Sequence, residues 1–146
     1  MAGVLLVVGL GLYFFLQSRK SRANEELAHA LRVFYGPTKL EGSIFEEGMA
    51  FADDKAKYTQ AEKEFSAVAG KYSWLREGRL ARYYLGLTKN QLGKTEEAIR
   101  ELRALEQKQD AHVSGLARFA VAEIYAQNGR LAEAEYVGGG EYTIAD

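Results

Sequence analysis

The chain has 146 residues, 47% hydrophobic and 27% charged, enough for one core of ordinary size. Its 19 basic and 20 acidic residues are interspersed, so it lacks the one-signed field of a nucleic-acid binder, and nucleic acid is not an expected partner. The absence of cysteine excludes disulfides, thiolate catalysis, cysteine zinc sites and a cysteine-linked lipid anchor. A single proline, Pro37, amid abundant Ala, Leu, Glu, Lys and Arg predicts an all-α chain.

The first segment, AGVLLVVGLGLYFFL over residues 2–16, is an unbroken apolar run followed at once by QSRKSR. As a helix it spans roughly 22 Å, against about 30 Å of bilayer hydrocarbon. Tyr13, Phe14 and Phe15 gather beside Arg19, Lys20 and Arg22, where an aromatic belt and snorkelling cations extend the effective length. Residues 1–22 are therefore expected to be a transmembrane helix with its basic flank. A cleaved signal peptide would need a basic leader and a small-x-small site, and FLQSRKSRA offers neither. The flanking cations would keep the remainder in the cytoplasm, whereas a missing basic leader would reverse that orientation.

Residues 23–54 form the second segment. ANEELAHALRVFY places Leu27, Ala30, Leu31 and Phe34 on one face, so the first helix is expected to continue through it. GPTKLEGSIFEEGMAFADD, residues 36–54, reads as a long loop ending at a helix cap, Asp53 or Asp54. A helix carrying Ala61 and Phe65 follows over residues 58–72.

The next stretch holds Gly93-Lys94-Thr95, the last three residues of a phosphate-binding loop pattern. The position of the pattern's first glycine is Thr88, and Leu80, Tyr83, Tyr84, Leu87 and Gln91 carry helical spacing where a strand would be needed. A repeat explains the tripeptide instead. LARYYLGLTKNQLGKTEEA (residues 80–98) aligns without a gap on LARFAVAEIYAQNGRLAEA (residues 116–134), a period of 36 residues that sets Gly93 on Gly129 and Ala98 on Ala134. Each unit predicts a helix, a turn closed by a left-handed glycine and a second helix, with Thr95 as N-cap.

These units resemble tetratricopeptide repeats. Leu85-Gly86, Gly93, Ala98 and Leu102 in one unit, and Val121-Ala122, Tyr125, Gly129 and Ala134 in the next, occupy that family's fixed positions. The small residues Gly86, Ala122, Ala98 and Ala134 would let paired helices approach closely. Arg82 and Arg118 stand where the family most often has Trp, no proline closes a repeat, and the period is longer than usual, so the resemblance is to a divergent branch, over residues 55–137. It implies a short α-solenoid of antiparallel helix pairs. The N-terminal run together with KYTQAEKEFSAVAGKY is similar to bacterial single-span proteins of this type, including the ancillary subunit of the Sec translocon. That likeness implies a single-pass location at the bacterial inner membrane with the repeats in the periplasm. Residues 138–146 begin with Gly138-Gly139-Gly140, each costing roughly 1 kcal/mol in a helix, which should cut the helix begun at Leu131 and leave a glycine-rich tail.

No nucleophile, metal set or cofactor signature stands out. His29 and His112 have no helical ligand companion at i, i+4, and the acidic pairs Glu25-Glu26, Glu46-Glu47, Asp53-Asp54 and Glu96-Glu97 read as helix-start and loop charges rather than acid–base dyads. The expectation is therefore a non-enzymatic protein with no cofactor. In tetratricopeptide stacks the first helix of each repeat lines a groove, which here would comprise Leu80, Tyr83, Leu87, Asn90 and Gln91, then Leu116, Phe119, Glu123, Ala126 and Gln127. Such an apolar and amide surface suits an apolar helix or unfolded segment better than an acidic tail. The function expected is a membrane-tethered scaffold recruiting protein partners such as clients or chaperones near a translocon. The alternative is a structural subunit that assembles with copies of itself through open repeat ends.

Overall fold

The computed structural model describes residues 2–38, 50–106 and 110–138, with side chains from residue 6. It is all-helical, as the composition predicts: α1 (Ala2–Phe34), α2 (Asp54–Lys71), α3 (Arg76–Gln91), α4 (Thr95–Glu106), α5 (Ala111–Gln127) and α6 (Leu131–Gly138). Parts of the predicted 36–54 loop and glycine-rich tail, residues 39–49 and 139–146, lie outside the described residues. The base of that loop is pinned where Thr38 pairs with Phe51 and the Phe51 N–H donates to the Pro37 carbonyl at 3.1 Å.

Local chemistry sets the helix ends. Asp53 caps α2, accepting from the Ala56 N–H at 2.7 Å. Gly93 and Gly129 have φ of 75° and 73°, the left-handed region that side chains with a Cβ avoid. Their turns are the same: Gly93 N–H donates to Asn90 and Lys94 N–H to Lys89, just as Gly129 donates to Ala126 and Arg130 to Tyr125. This is the Schellman closure of a helix end. Thr95, expected as a cap, is already the first residue of α4. Between α2 and α3 the chain turns so tightly that a Cβ on Gly78 would lie 2.0 Å from the Tyr72 carbonyl oxygen.

Each helix packs against the next in sequence. In addition α3 lies close to both α1 and α5, whereas the backbones of α2 and α4, and of α4 and α6, stay more than 8 Å apart. Helices α1, α3 and α5 therefore form an inner layer, with α2, α4 and α6 outside it. Two apolar clusters result. One gathers Ala23, Leu27 and Ala30 of α1 with Ala61, Phe65 and Tyr72 and with Ala81 and Leu85 of α3. The other joins Ala98, Ile99 and Leu102 of α4 to Ala117, Val121 and Ile124 of α5. Leu80 packs against both. Gly86 is buried where α3 crosses α4, and a Cβ there would lie 2.6 Å from Leu102 Cγ.

The expected transmembrane helix is corrected by the structure. Among the described residues no helix is long and apolar enough to cross a membrane, and the single-pass inner-membrane location inferred from that run falls with it. The reason is visible in α1. The apolar run is not a separate element but the first half of a 33-residue helix. That helix passes without a break into Gln17, Ser18, Arg19 and Lys20, so its apolar length stops short of a bilayer. Its second half is built into the first cluster, with Ala23 and Ala30 fully buried.

The acidic pairs also serve differently from the expectation. Glu25 and Glu26 lie inside α1 rather than at a helix start, and Glu26 accepts hydrogen bonds from Lys71 Nζ at the end of α2 and, at 2.9 Å, from Tyr72 Oη just past it. Glu96 pairs with Arg130 at 2.9 Å and Glu97 with Lys89 at 3.1 Å. Besides charging the first turn of α4, these two tie it to its neighbours.

Candidate functional site

The inner layer presents the residues that the repeat alignment selected. On α3, positions 80, 83, 87, 90 and 91 fall on one stripe, and on α5 so do positions 116, 119, 123, 126 and 127, because both sets advance by three or four residues. Packing separates them. Leu80, Tyr83 and Leu87 are half-buried against the second cluster and so hold the helices together as well as reaching the surface. Leu116 and Asn90 are half-buried, while Gln91, Ala126, Glu123 and Gln127 are exposed. Gln127 Nε2 donates to Glu123 Oε1 at 3.2 Å along α5. Phe119 is 59% exposed, which is more than any core role explains.

Tyr83 joins the two stripes. Its hydroxyl is held above the usual tyrosine range first by burial and then by the charge of Glu123, which brings α5 to its side, and by Tyr35. Tyr84 is pushed up to about 12 by burial, with a hydrogen bond to Tyr35 adding to it. Both stay protonated and neutral across ordinary pH, so they offer hydroxyls and ring faces rather than charge. Tyr84 stacks on Phe65 at 5.4 Å and meets Phe34 and Tyr83 edge-on at 5.7 and 5.3 Å. This aromatic wall braces α3 against α1 and α2.

Tyr35, just past the end of α1, is the inner-layer residue that the alignment missed. It is 69% exposed, and it lies beside Tyr84 at 6.4 Å. The repeat signal hides it because residues 35–53 separate α1 from α2, where only residues 92–94 separate α3 from α4. No gap-free alignment carries the period across that insert. The candidate surface therefore adds Tyr35 to the α3 stripe of Leu80, Tyr83 and Leu87, and Glu123 links that stripe to Leu116 and Phe119 on α5.

Among the described residues, no three His, Asp or Glu side chains are placed to hold a metal ion. His29 faces Glu64 of α2 at 3.7 Å and is itself half in solvent. No family model, curated protein or solved structure matches the chain.

Proposed function

We propose that the chain is a non-enzymatic helical-repeat module that binds an apolar helical segment of a partner protein along the inner faces of α3 and α5. The observation that carries this is Phe119, a large aromatic ring left 59% exposed one turn along α5 from half-buried Leu116. An aromatic anchor over an apolar floor, rimmed by amides, is the composition of a protein-recognition surface. The resemblance to tetratricopeptide repeats supports the same reading. Without a match to known proteins, the partner is specified by its chemistry alone: an amphipathic helix whose apolar side chains repeat every three or four residues.

The test is photocrosslinking in cells from position 119, with position 100, exposed on the outer helix α4, as control. A discrete partner captured from position 119 alone, and lost in a Leu116→Glu background, is the expected result. Equal capture from both positions, or none from either, would overturn the reading. Glu101 is unsuitable as a control because it is half-buried in ion pairs with Arg82 and Lys89.

A second reading, self-association, is favoured by one feature of α1. Leu6, Val7, Val8, Leu10, Leu12, Tyr13, Phe14 and Phe15 are each more than half exposed, and they point in every direction around the helix axis. Aromatic side chains bury about 150–250 Å² each when covered, so this arm exceeds the roughly 300–600 Å² apolar patch of an ordinary monomer. Arms from several copies would bury one another in a bundle. Sedimentation of the full chain is expected to show oligomers that dissociate in the Leu10→Glu, Phe14→Glu variant; a concentration-independent monomer would refute it.

A further inference from the structure

A second recess lies at the end of the molecule where α2 and α4 finish and α3 and α5 begin. Because the backbones of α2 and α4 stand apart, the start of α3 is left as the floor of a pocket of about 260 Å³, walled by Ala69, Leu105 and Trp74 and edged by Ser73, Arg79 and Arg82. It shares no residue with the groove lined by Tyr83 and Phe119 and does not rest on that reading. Its volume lies below the roughly 300–1,000 Å³ of small-molecule sites. A single side chain fits it better than a free metabolite.

The polar groups around it are incompletely matched. Arg76, Arg79 and Arg82 recur every three residues along one side of α3. Asp110 Oδ2 sits 3.4 Å from Arg79 Nη2 and 3.8 Å from Arg76 Nε, and Glu101 Oε2 sits 3.3 Å from Arg82 Nε. Among the described residues Asp110 thus serves two guanidinium groups and Glu101 is shared between Arg82 and Lys89, while Glu77 Oε2 and Glu106 Oε1 are also buried without a partner. Asp110 is further committed to capping α5 through the Val113 N–H at 3.2 Å. Arg79 Nη1 reaches the Trp74 carbonyl at 3.3 Å, and its Nε is buried with no acceptor among the described residues. Charge-assisted bonds normally run at about 2.7–2.9 Å, so Arg79 is held by long bonds with one donor unused. A buried unused donor is unfavourable, and a turn of the guanidinium toward a new acceptor would satisfy it.

We propose that this recess binds the carboxylate side chain of an acidic partner segment. The carboxylate would be taken in a forked contact by Arg79 and Arg82, and the side chain's methylene stem would lie against the Trp74 indole, Ala69 and Leu105. The unused Arg79 donor selects an acceptor, the planar guanidinium selects a carboxylate or phosphate oxygen pair, and the apolar walls select a charge carried on a hydrocarbon stem.

Trp74 is the only tryptophan in the chain and is 54% exposed, so its fluorescence reports the site without labelling. The probes are the blocked pentapeptide Ala-Glu-Leu-Glu-Ala, its Gln-for-Glu counterpart and inorganic phosphate, titrated against the full chain at low salt. The Glu peptide is expected to shift Trp74 emission saturably and to move the Arg79 and Arg82 Nε–H signals in a nitrogen–proton correlation spectrum. Arg79→Gln should weaken it at least about tenfold, the cost of one charge-assisted bond, and Arg79→Lys, which keeps the charge and loses the fork, by less. The nitrogen–proton measurement needs no variant, so a misfolded Arg79→Gln does not decide the matter. Equal response to the Gln peptide, or no response to either peptide, would overturn the proposal. Full competition by phosphate at equal concentration would overturn the carboxylate assignment in favour of a simple anion site.

Discussion

The hairpins α3–α4 and α5–α6 come from sequence segments that align residue for residue, yet they end in different physical states. Their turns are indistinguishable, with Gly93 and Gly129 at φ of 75° and 73° and the same pair of closing hydrogen bonds. Their second helices differ. In α4, Ala98, Ile99, Leu102 and Leu105 are buried, whereas α6 buries none of its residues fully. The 36-residue period places Glu135 on Ile99 and Gly138 on Leu102, so α6 keeps the small contact residue Ala134 but lacks the apolar side chains beside it. A turn is a local bargain between backbone and glycine. Helix burial requires an apolar face and a neighbour to receive it.

The largest expected difference between the hairpins lies in the core. Leu102→Ala should cost about 2–5 kcal/mol, whereas Val137→Ala, half-buried at the end of α6, should cost under about 1 kcal/mol. Thermal denaturation would separate them, since a chain of this size loses roughly 2–4 °C per kcal/mol. Equal losses would mean that α6 is as integral to the stack as α4.

Next in size is the crossing of paired helices. Gly86→Ala drives a methyl group into Leu102 and should cost about 1–3 kcal/mol despite alanine's better helix propensity. The matching position in the other hairpin, Ala122, already carries that methyl and is only half-buried. There Ala122→Gly should cost about 1 kcal/mol through helix propensity. Opposite substitutions should thus both destabilise, and denaturant midpoints would show it.

The turns provide the third comparison. Gly93→Ala and Gly129→Ala impose the same left-handed strain of about 1–2 kcal/mol, but the consequences should spread differently. Gly93→Ala is expected to lower the global midpoint. Gly129→Ala should leave it nearly unchanged and raise amide exchange along α6 alone, because little packing opposes the local opening of that helix.

The mildest effect should follow pH at the starts of α3 and α5. The N-cap of α3 is Leu75, which makes no side-chain cap, while α5 begins at Asp110. The Val113 N–H, and then Arg79, hold the Asp110 carboxyl below its ordinary value of 3.8. A carboxylate depressed in the folded state stabilises fully above its ordinary value and loses that contribution as pH falls through the folded one. Acidification below about pH 4 should therefore loosen α5 before α3, and Asp110→Asn should remove that part of the pH dependence. Exchange protection in α5 that is flat down to pH 2 would contradict it.

Much of the fold was legible because it was written locally. The gap-free match of residues 80–98 on 116–134 located both glycine turns, and Ala61 and Phe65 marked the helix that packs on α1. The candidate surface was legible only in part. Spacing selected one stripe on each of α3 and α5, but it could not tell that Tyr83 is half-buried in packing while Phe119 is exposed, nor that Tyr35 lies beside Tyr84 across the insert. The arginine recess left no sequence signature. Arg76, Arg79 and Arg82 read as an ordinary charged helix side until Asp110 and Glu101, from other helices, are set against them.

The sequence by itself determined the helical class, the two left-handed turns and the polarity of each helix face, since these follow from backbone preference and periodicity within a few turns of chain. Tertiary structure decided the rest. Whether α1 is an anchor or a packed helix with an exposed arm, which aromatic rings remain in solvent and where an arginine is left short of a partner depend on groups far apart in sequence. Their burial and pairing energies exist only once the helices have been brought together.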